Sequence, residues 1–441
     1  MARTSKTWIT LKRYLSNSNV HGLRYIVEDG LHWTERLFWL VTCALCWWGC
    51  ITMINNSLDA FLNRSVAFTI ESTYLNWQTK LPSLSVCMRT VPKSLITANS
   101  LHSKKFGSKI NPYAWRWLFS GITKKSSKQV TNEFTKLTSD DIVSLFTESV
   151  VNCTELLTEC YWKSIKFDCC EEFHPLQTVG GTCYAINSAQ TKSGDTLKNK
   201  FTMNRKTGLG YLHVGLTTIA LSEQSVNIQV FVHDNLEIPT ALTHGDREIY
   251  TKFGKVVSIY YNLQETINDD GLRSIPMERR RCRLSDETDN VLYYKRYSSD
   301  GCVIELQMEN MLTRCGCVSH LFPHTPRMPV CNYTGLQCIH NQNAFAINEE
   351  VSKHRCIPDC ESAVIKIFQN PQAIAEFSRF KISQGIHLEL LELPSYRFRR
   401  YVVRSLLDLA VAVGSTVSLF MGAGILSIVE IPYWLLLRHA Q

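Results

Sequence analysis

Two apolar runs dominate the hydropathy pattern of the chain. The first, Leu37 to Ile54 (LFWLVTCALCWWGCITMI), stops at Asn55-Asn56-Ser57. The second extends from Leu406 to Leu437 and holds 21 residues without a charge between Asp408 and Glu430. A helix needs about 20 such residues to cross a bilayer, so both runs are long enough. Residues 55–405 contain no comparable run and form one large loop. From about Gly208 to Asn262 the loop alternates apolar and polar residues in strand fashion (LGYLHVGLTTIAL, VNIQVFVHD, VVSIYYNLQ). The pattern predicts an α+β membrane protein. Transmembrane helices at 37–54 and 406–437 flank a β-sheet domain at 55–405, with a leading segment at 1–36 and a tail at 438–441.

Charge sets the orientation. Arg3, Lys6, Lys12, Arg13, Arg24 and Arg36 outnumber Glu28, Asp29 and Glu35 ahead of the first run. That excess favours a cytoplasmic N-terminus. A cleaved signal peptide fits less well, because the polar lead is long and no small-residue cleavage site follows. Two spans then put both termini inside and the loop outside. Its cysteines agree: of 17 in the chain, all but Cys43, Cys46 and Cys50 lie in the loop, leaving an even number, as in oxidising compartments. The sequons at Asn63, Asn152 and Asn332 also suit an exposed, glycosylated surface.

Composition excludes other classes. Mean hydropathy is -0.09, too low for a chain made mostly of membrane helices. Net charge is +8, but the basic residues are dispersed and form no nucleic-acid patch. No GxSxG, HExxH, P-loop or dinucleotide turn is present, so no enzyme and no cofactor is expected. Cys315, Cys317, Cys331 and Cys338, with His320, His324 and His340 near them, have spacings that zinc could use. Outside the cell those thiols oxidise instead, and disulfides are the stronger reading.

The second run carries the chemistry. Val411, Ser415, Ser418 and Gly422 fall on one helical face. Small residues at that spacing serve a helix-packing seam or a pore lining equally well. Gly422-Ala423-Gly424 would weaken a helix at mid-membrane, where irregular backbone is tolerated only in protein or against water. Freed carbonyls there could replace an ion's hydration shell. Asp408 and Glu430 bracket the stripe, as boundary residues or, in an oligomer, as cation-concentrating rings.

These residues resemble the degenerin / epithelial sodium channel / acid-sensing channel family, most closely its insect pickpocket-type members. His21-Gly22 is similar to the family's pre-membrane gating motif, and Trp33 to Trp39 to the pickpocket entry into the first span. Leu81 to Cys87 and Gly181 to Asn187 resemble two strand motifs. Ser418-Leu-Phe-Met-Gly422-Ala-Gly424-Ile-Leu-Ser-Ile-Val-Glu430 is similar to the diagnostic second-span motif.

The resemblance implies a trimer in the plasma membrane, homomeric or built with related subunits, with a palm, finger and thumb ectodomain above six helices. It implies an amiloride-sensitive, sodium-selective and sensory cation channel, sodium being the permeant ion and lipid the surroundings. Gly422, Ala423 and Gly424 take the filter position. Asp408, Val411, Ala412, Ser415, Ser418 and Glu430 line the pore, Ser418 at the position of block. It implies Cys87–Cys183, Cys282–Cys360, Cys302–Cys356, Cys315–Cys338 and Cys317–Cys331. Cys153 and Cys160 pair with Cys169 and Cys170 in either order. One thumb bridge is replaced jointly, by Leu306 and His354.

Two departures stand out. Gly424 replaces the filter serine, and bulky Val411 stands above the gate, which implies resting current. The alternatives are a non-conducting or auxiliary subunit of a heterotrimer, or a two-span lipid-binding surface receptor. An ATP-gated receptor fits poorly, lacking paired lysines and an Asn-Phe-Arg triplet.

Overall fold

The computed structural model describes residues 12, 14–18, 20–64, 66–88, 137–148, 150–191, 200–217, 228–240, 248–250, 256–289, 293–325, 327–369 and 384–433. The chain divides into two compact units. One comprises Met1–Phe68, Asp269–Arg280 and Arg400–Gln441, the other Thr69–Asn268 and Arg281–Arg399.

The first unit is built on two apolar helices. Trp33–Asn63 runs for 31 residues, about 46 Å at 1.5 Å per residue. It overshoots the expected 37–54 at both ends because neither Trp33-Thr-Glu-Arg36 nor Asn55–Asn63 contains a glycine or proline to stop it. His32 caps it, its Nδ1 accepting from the Thr34 N–H at 3.4 Å. Large apolar side chains such as Trp33, Phe38, Leu45 and Trp48 stand exposed along it. It is the one described helix long and apolar enough to cross a membrane.

The second apolar run is not one helix. Leu406–Met421 ends at Gly422, whose φ of 65° is left-handed, and Ile425–Pro432 starts afresh after Gly424. Residues 434–437 of the expected span, and the tail 438–441, lie outside the described residues. Leu406–Met421 packs on Trp33–Asn63, where Gly49 lets the Phe420 ring approach; a Cβ at Gly49 would meet that ring at 3.0 Å.

The second unit is disulfide-rich and sheet-rich. Its strands, counted with β1 and β15 that run on into the first unit, are β1 (Val66–Glu71), β2 (Thr79–Lys80), β3 (Ser83–Met88), β4 (Leu157–Trp162) and β5 (Ile165–Phe167). Then follow β6 (His174–Thr178), β7 (Gly181–Ile186), β8 (Thr202–Met203), β9 (Tyr211–Leu216) and β10 (Ile228–His233). The last are β11 (Glu248–Tyr250), β12 (Val256–Asn268), β13 (Ser362–Gln369), β14 (Gly385–Leu390) and β15 (Arg397–Val402). The larger sheet has the order β1-β15-β12-β14-β9-β4-β5, with β13 also on β12. The smaller has the order β11-β10-β3-β7-β6. The three alternating stretches all form strands, β9, β10 and β12. They divide between the two sheets, and β10 is buried on both faces. Alternation marked these segments as strands, but only packing decides whether the polar face also meets protein.

Between β12 and β13 the chain is helical, a feature the cysteine spacing masked. Ser299–Cys315 is capped by Ser298, which accepts from the Gly301 N–H at 3.1 Å, and ends on left-handed Gly316. Tyr333–Asn341 and Glu349–Arg355 follow. Ile304, Met308 and Met311 of the first of these helices share a core with Leu336 and Ile339 of the second.

His213 and Asp234 depart furthest from ordinary ionisation among the described histidines and carboxylates. His213 and His387 stack across β9 and β14 with Nδ1 atoms 3.1 Å apart, and Glu389 lies 3.0 Å from His387 Nε2. Burial, then the neighbouring imidazole, pushes His213 down to about 3. Asp234, after β10, is pushed up to about 7 by burial and then by the charge of Glu237.

Candidate functional site

The site grows from the Ser405 turn. Ser405 and Asp408 form a reciprocal cap: the Asp408 carboxylate accepts from the Ser405 N–H and hydroxyl at 2.8 Å each. The Ser405 hydroxyl accepts from the Asp408 N–H at 3.2 Å. The S-x-x-D spacing is a readable start signal that the apolar pattern alone overlooks. Asp408 is therefore a helix-capping residue as well as an exposed carboxylate.

From that start the helix presents two different faces. Leu409, Ala412, Val413, Thr416 and Phe420 are partly or fully covered. Asp408, Val411, Ser415 and Ser418 are exposed, Val411 at 61%. A Cβ at Gly414 would meet nothing within 4 Å. The small and hydroxyl stripe is thus not the seam with the chain's own first helix; a different stripe fills that role. The Ser415 hydroxyl turns back to donate to the Ala412 carbonyl at 3.0 Å, and Thr416 does the same at 2.7 Å. Glu430, on Ile425–Pro432, is half-buried.

The helix break is braced from far away in sequence. The backbone N–H of His21 donates to the carbonyl of Met421 at 2.9 Å. The His21 ring lies where a Cβ at Gly422 would fall. Gly22 is itself left-handed, φ 83°, and a Cβ there would collide with the Cys43 sulfur. His21-Gly22 and Gly422-Ala423-Gly424, singled out separately in the sequence, come together in one place.

The arginines ahead of the second run find partners rather than open solvent. Arg397 and Arg399 both reach Glu71, at 3.4 and 3.2 Å, and Arg397 lies over the Trp77 ring at 4.0 Å. Arg400 lies over Phe68 at 4.8 Å. Burial, then repulsion from Arg280, lowers the Arg400 pKa. Only Arg404 is exposed.

Seven disulfides brace the second unit. The structure joins Cys87–Cys183, Cys282–Cys360, Cys302–Cys356, Cys315–Cys338 and Cys317–Cys331. It joins Cys153–Cys170 and Cys160–Cys169, the order that spacing left open. With Cys315, Cys317, Cys331 and Cys338 oxidised, no thiolates stand there for zinc. Leu306 is buried in Ser299–Cys315, while His354 is exposed on Glu349–Arg355. Asn63, Asn152 and Asn332 are all exposed; Asn63 ends the first helix and Asn332 caps Tyr333–Asn341.

A family described as amiloride-sensitive sodium channel matches residues 14–434. The chain belongs to this family. Among curated members, the sodium channel protein Nach of Drosophila ananassae is 22% identical over 466 residues, covering 98% of this chain and 87% of its own. Pickpocket protein 28 of Drosophila melanogaster is 22% identical over 503 residues, covering 96% and 78%. A solved proton-activated chloride channel covers 90% of this chain and 96% of its own at 6% identity, and its TM-score of 0.25 makes it no guide. In this member of the sodium channel family, the braced break and the uncovered stripe both lie in the first unit and make up its candidate site.

Proposed function

We propose that this chain is a pore-forming subunit of a trimeric, sodium-selective, amiloride-sensitive channel of the plasma membrane with a sensory role. One observation carries the reading: an apolar helix exposes its small and hydroxyl face and breaks at a left-handed glycine. In hydrocarbon an uncovered Ser415–Ser418 stripe and freed carbonyls are costly unless they line water. In a trimer the stripe faces the axis. Residues 37–54, within the helix Trp33–Asn63, and residues 406–437 are then the two spans, both termini are cytoplasmic, and residues 55–405 are extracellular. Carbonyls of Gly422, Ala423 and Gly424 strip water from sodium, Asp408 and Glu430 gather cations, and amiloride lodges near Ser418. Val411 holds the gate partly open. Asn63, Asn152 and Asn332 carry glycans.

The test is whole-cell current in oocytes expressing this chain alone, with sodium outside, with and without amiloride. A resting, amiloride-sensitive inward current is expected. Its absence despite surface expression rules out resting conduction by the chain alone and points to an obligate partner or to a stimulus that the assay does not supply.

A second reading rests on Gly424, which replaces the serine of the family motif and so removes a hydroxyl from the filter. In that reading the chain works only beside related subunits. Co-expression that restores a current which the chain lacks alone favours it.

A further inference from the structure

The second unit holds a cleft of about 300 Å³ that no part of the channel reading uses. We propose that it binds a small, neutral, amphipathic organic molecule with an aromatic body. The volume is at the lower end of small-molecule sites, which run from about 300 to 1,000 Å³.

Three elements build it. The helix Ser139–Glu148 points Ile142 into the core, while Val143, Phe146 and Thr147 line the cleft. Gln177 and Thr182, paired directly across β6 and β7, give the opposite wall two side chains with donors and acceptors. Tyr293, His320 and His324 close the third side.

The aromatic wall is fixed in advance. The Phe146 ring meets the His320 ring edge-on at 5.4 Å between centroids. It also leans on Gly181, φ 103°, where a Cβ would come within 2.7 Å of the ring. Glycine at that turn is what makes room for the ring, so the wall exists before any ligand arrives.

The lining decides the chemical class. Among the described residues of the lining none is Asp, Glu, Lys or Arg. A charged ligand would surrender its hydration without an ionic partner, whereas a neutral ring keeps its hydrogen bonds to Gln177, Thr182 or Tyr293. The proposal concerns binding alone and holds whether or not the chain conducts.

The test uses the detergent-solubilised full chain at pH 8. Asn152 stands at the rim and heads a sequon, so N-glycans are trimmed enzymatically first. Saturation-transfer NMR is recorded with indole as the neutral probe and with indole-3-acetate and tryptamine as its charged counterparts. Thr147→Trp, at an exposed position, plugs the mouth; Lys366→Trp, on the exposed face of β13, controls for an added indole ring. Indole is expected to give transfer that falls at least about fivefold in Thr147→Trp and is unchanged in Lys366→Trp. Both charged probes are expected to be at least about tenfold weaker. No transfer to indole, equal transfer in the plugged variant, or a charged probe matching indole overturns the proposal.

Discussion

The His21 backbone N–H and the Met421 carbonyl meet at 2.9 Å, although 400 positions separate them in the chain. That hydrogen bond satisfies a carbonyl at the very end of Leu406–Met421, where the helix has no further N–H to offer. It ties the pre-membrane segment to the point at which the apolar helix breaks. Anything that moves the one should be felt at the other.

Gly422→Ala tests that bond. Alanine there must hold φ near 65° and place a methyl against the His21 ring. Sodium current is expected to fall at least about tenfold at equal surface expression, measured by biotinylation alongside current. Unchanged current would separate the brace from the pore.

Val411 is 61% exposed on the uncovered stripe. If its bulk props the gate, Val411→Gly should remove most of the resting current at unchanged surface expression. A resting current of wild-type size in the variant would dismiss the prop.

Glu71 neutralises two half-buried arginines at once. Glu71→Gln should lower stability by about 1–3 kcal/mol, the usual cost of stripping a charged hydrogen-bond partner, and lower the melting midpoint by a few degrees. Combining it with Arg399→Gln should cost less than the sum of the two single changes. Additive losses would mean that Glu71 and Arg399 act separately.

Asp234 and His213 give opposing pH dependences. Asp234 goes from 3.8 in the unfolded chain to about 7 in the fold. Between those values the fold holds the extra proton, so the contribution of Asp234 to stability is fully present below 3.8 and declines as pH rises toward 7. His213 goes from 6.5 to about 3, so its contribution is present above 6.5 and declines as pH falls toward 3. Asp234→Asn should therefore leave stability rising more steeply from pH 4 to 6.5 than in the wild type, read as thermal midpoints across that range. Parallel profiles would show that Asp234 titrates normally in the fold.

The chain's own sequence determined a good deal. Both apolar runs, the strands β9, β10 and β12, and the fragility at Gly422-Ala423-Gly424 follow from residue type and local spacing, because hydropathy, alternation and glycine act over a few residues. Family motifs supplied five cysteine pairs by position. The tertiary structure decided the rest. Cys153 chose Cys170 and Cys160 chose Cys169 because the short helix Cys169–Glu172 packs against β4, which spacing alone does not reveal. Glu71, Trp77 and Phe68, which hold Arg397, Arg399 and Arg400, are brought to them only by the fold. The stripe at 411, 415 and 418 suited a seam or a pore until Leu409, Thr416 and Phe420 were found on the covered side. The partners of these arginines and of the covered stripe lie hundreds of residues away, and burial is a property of the packed chain rather than of any one segment.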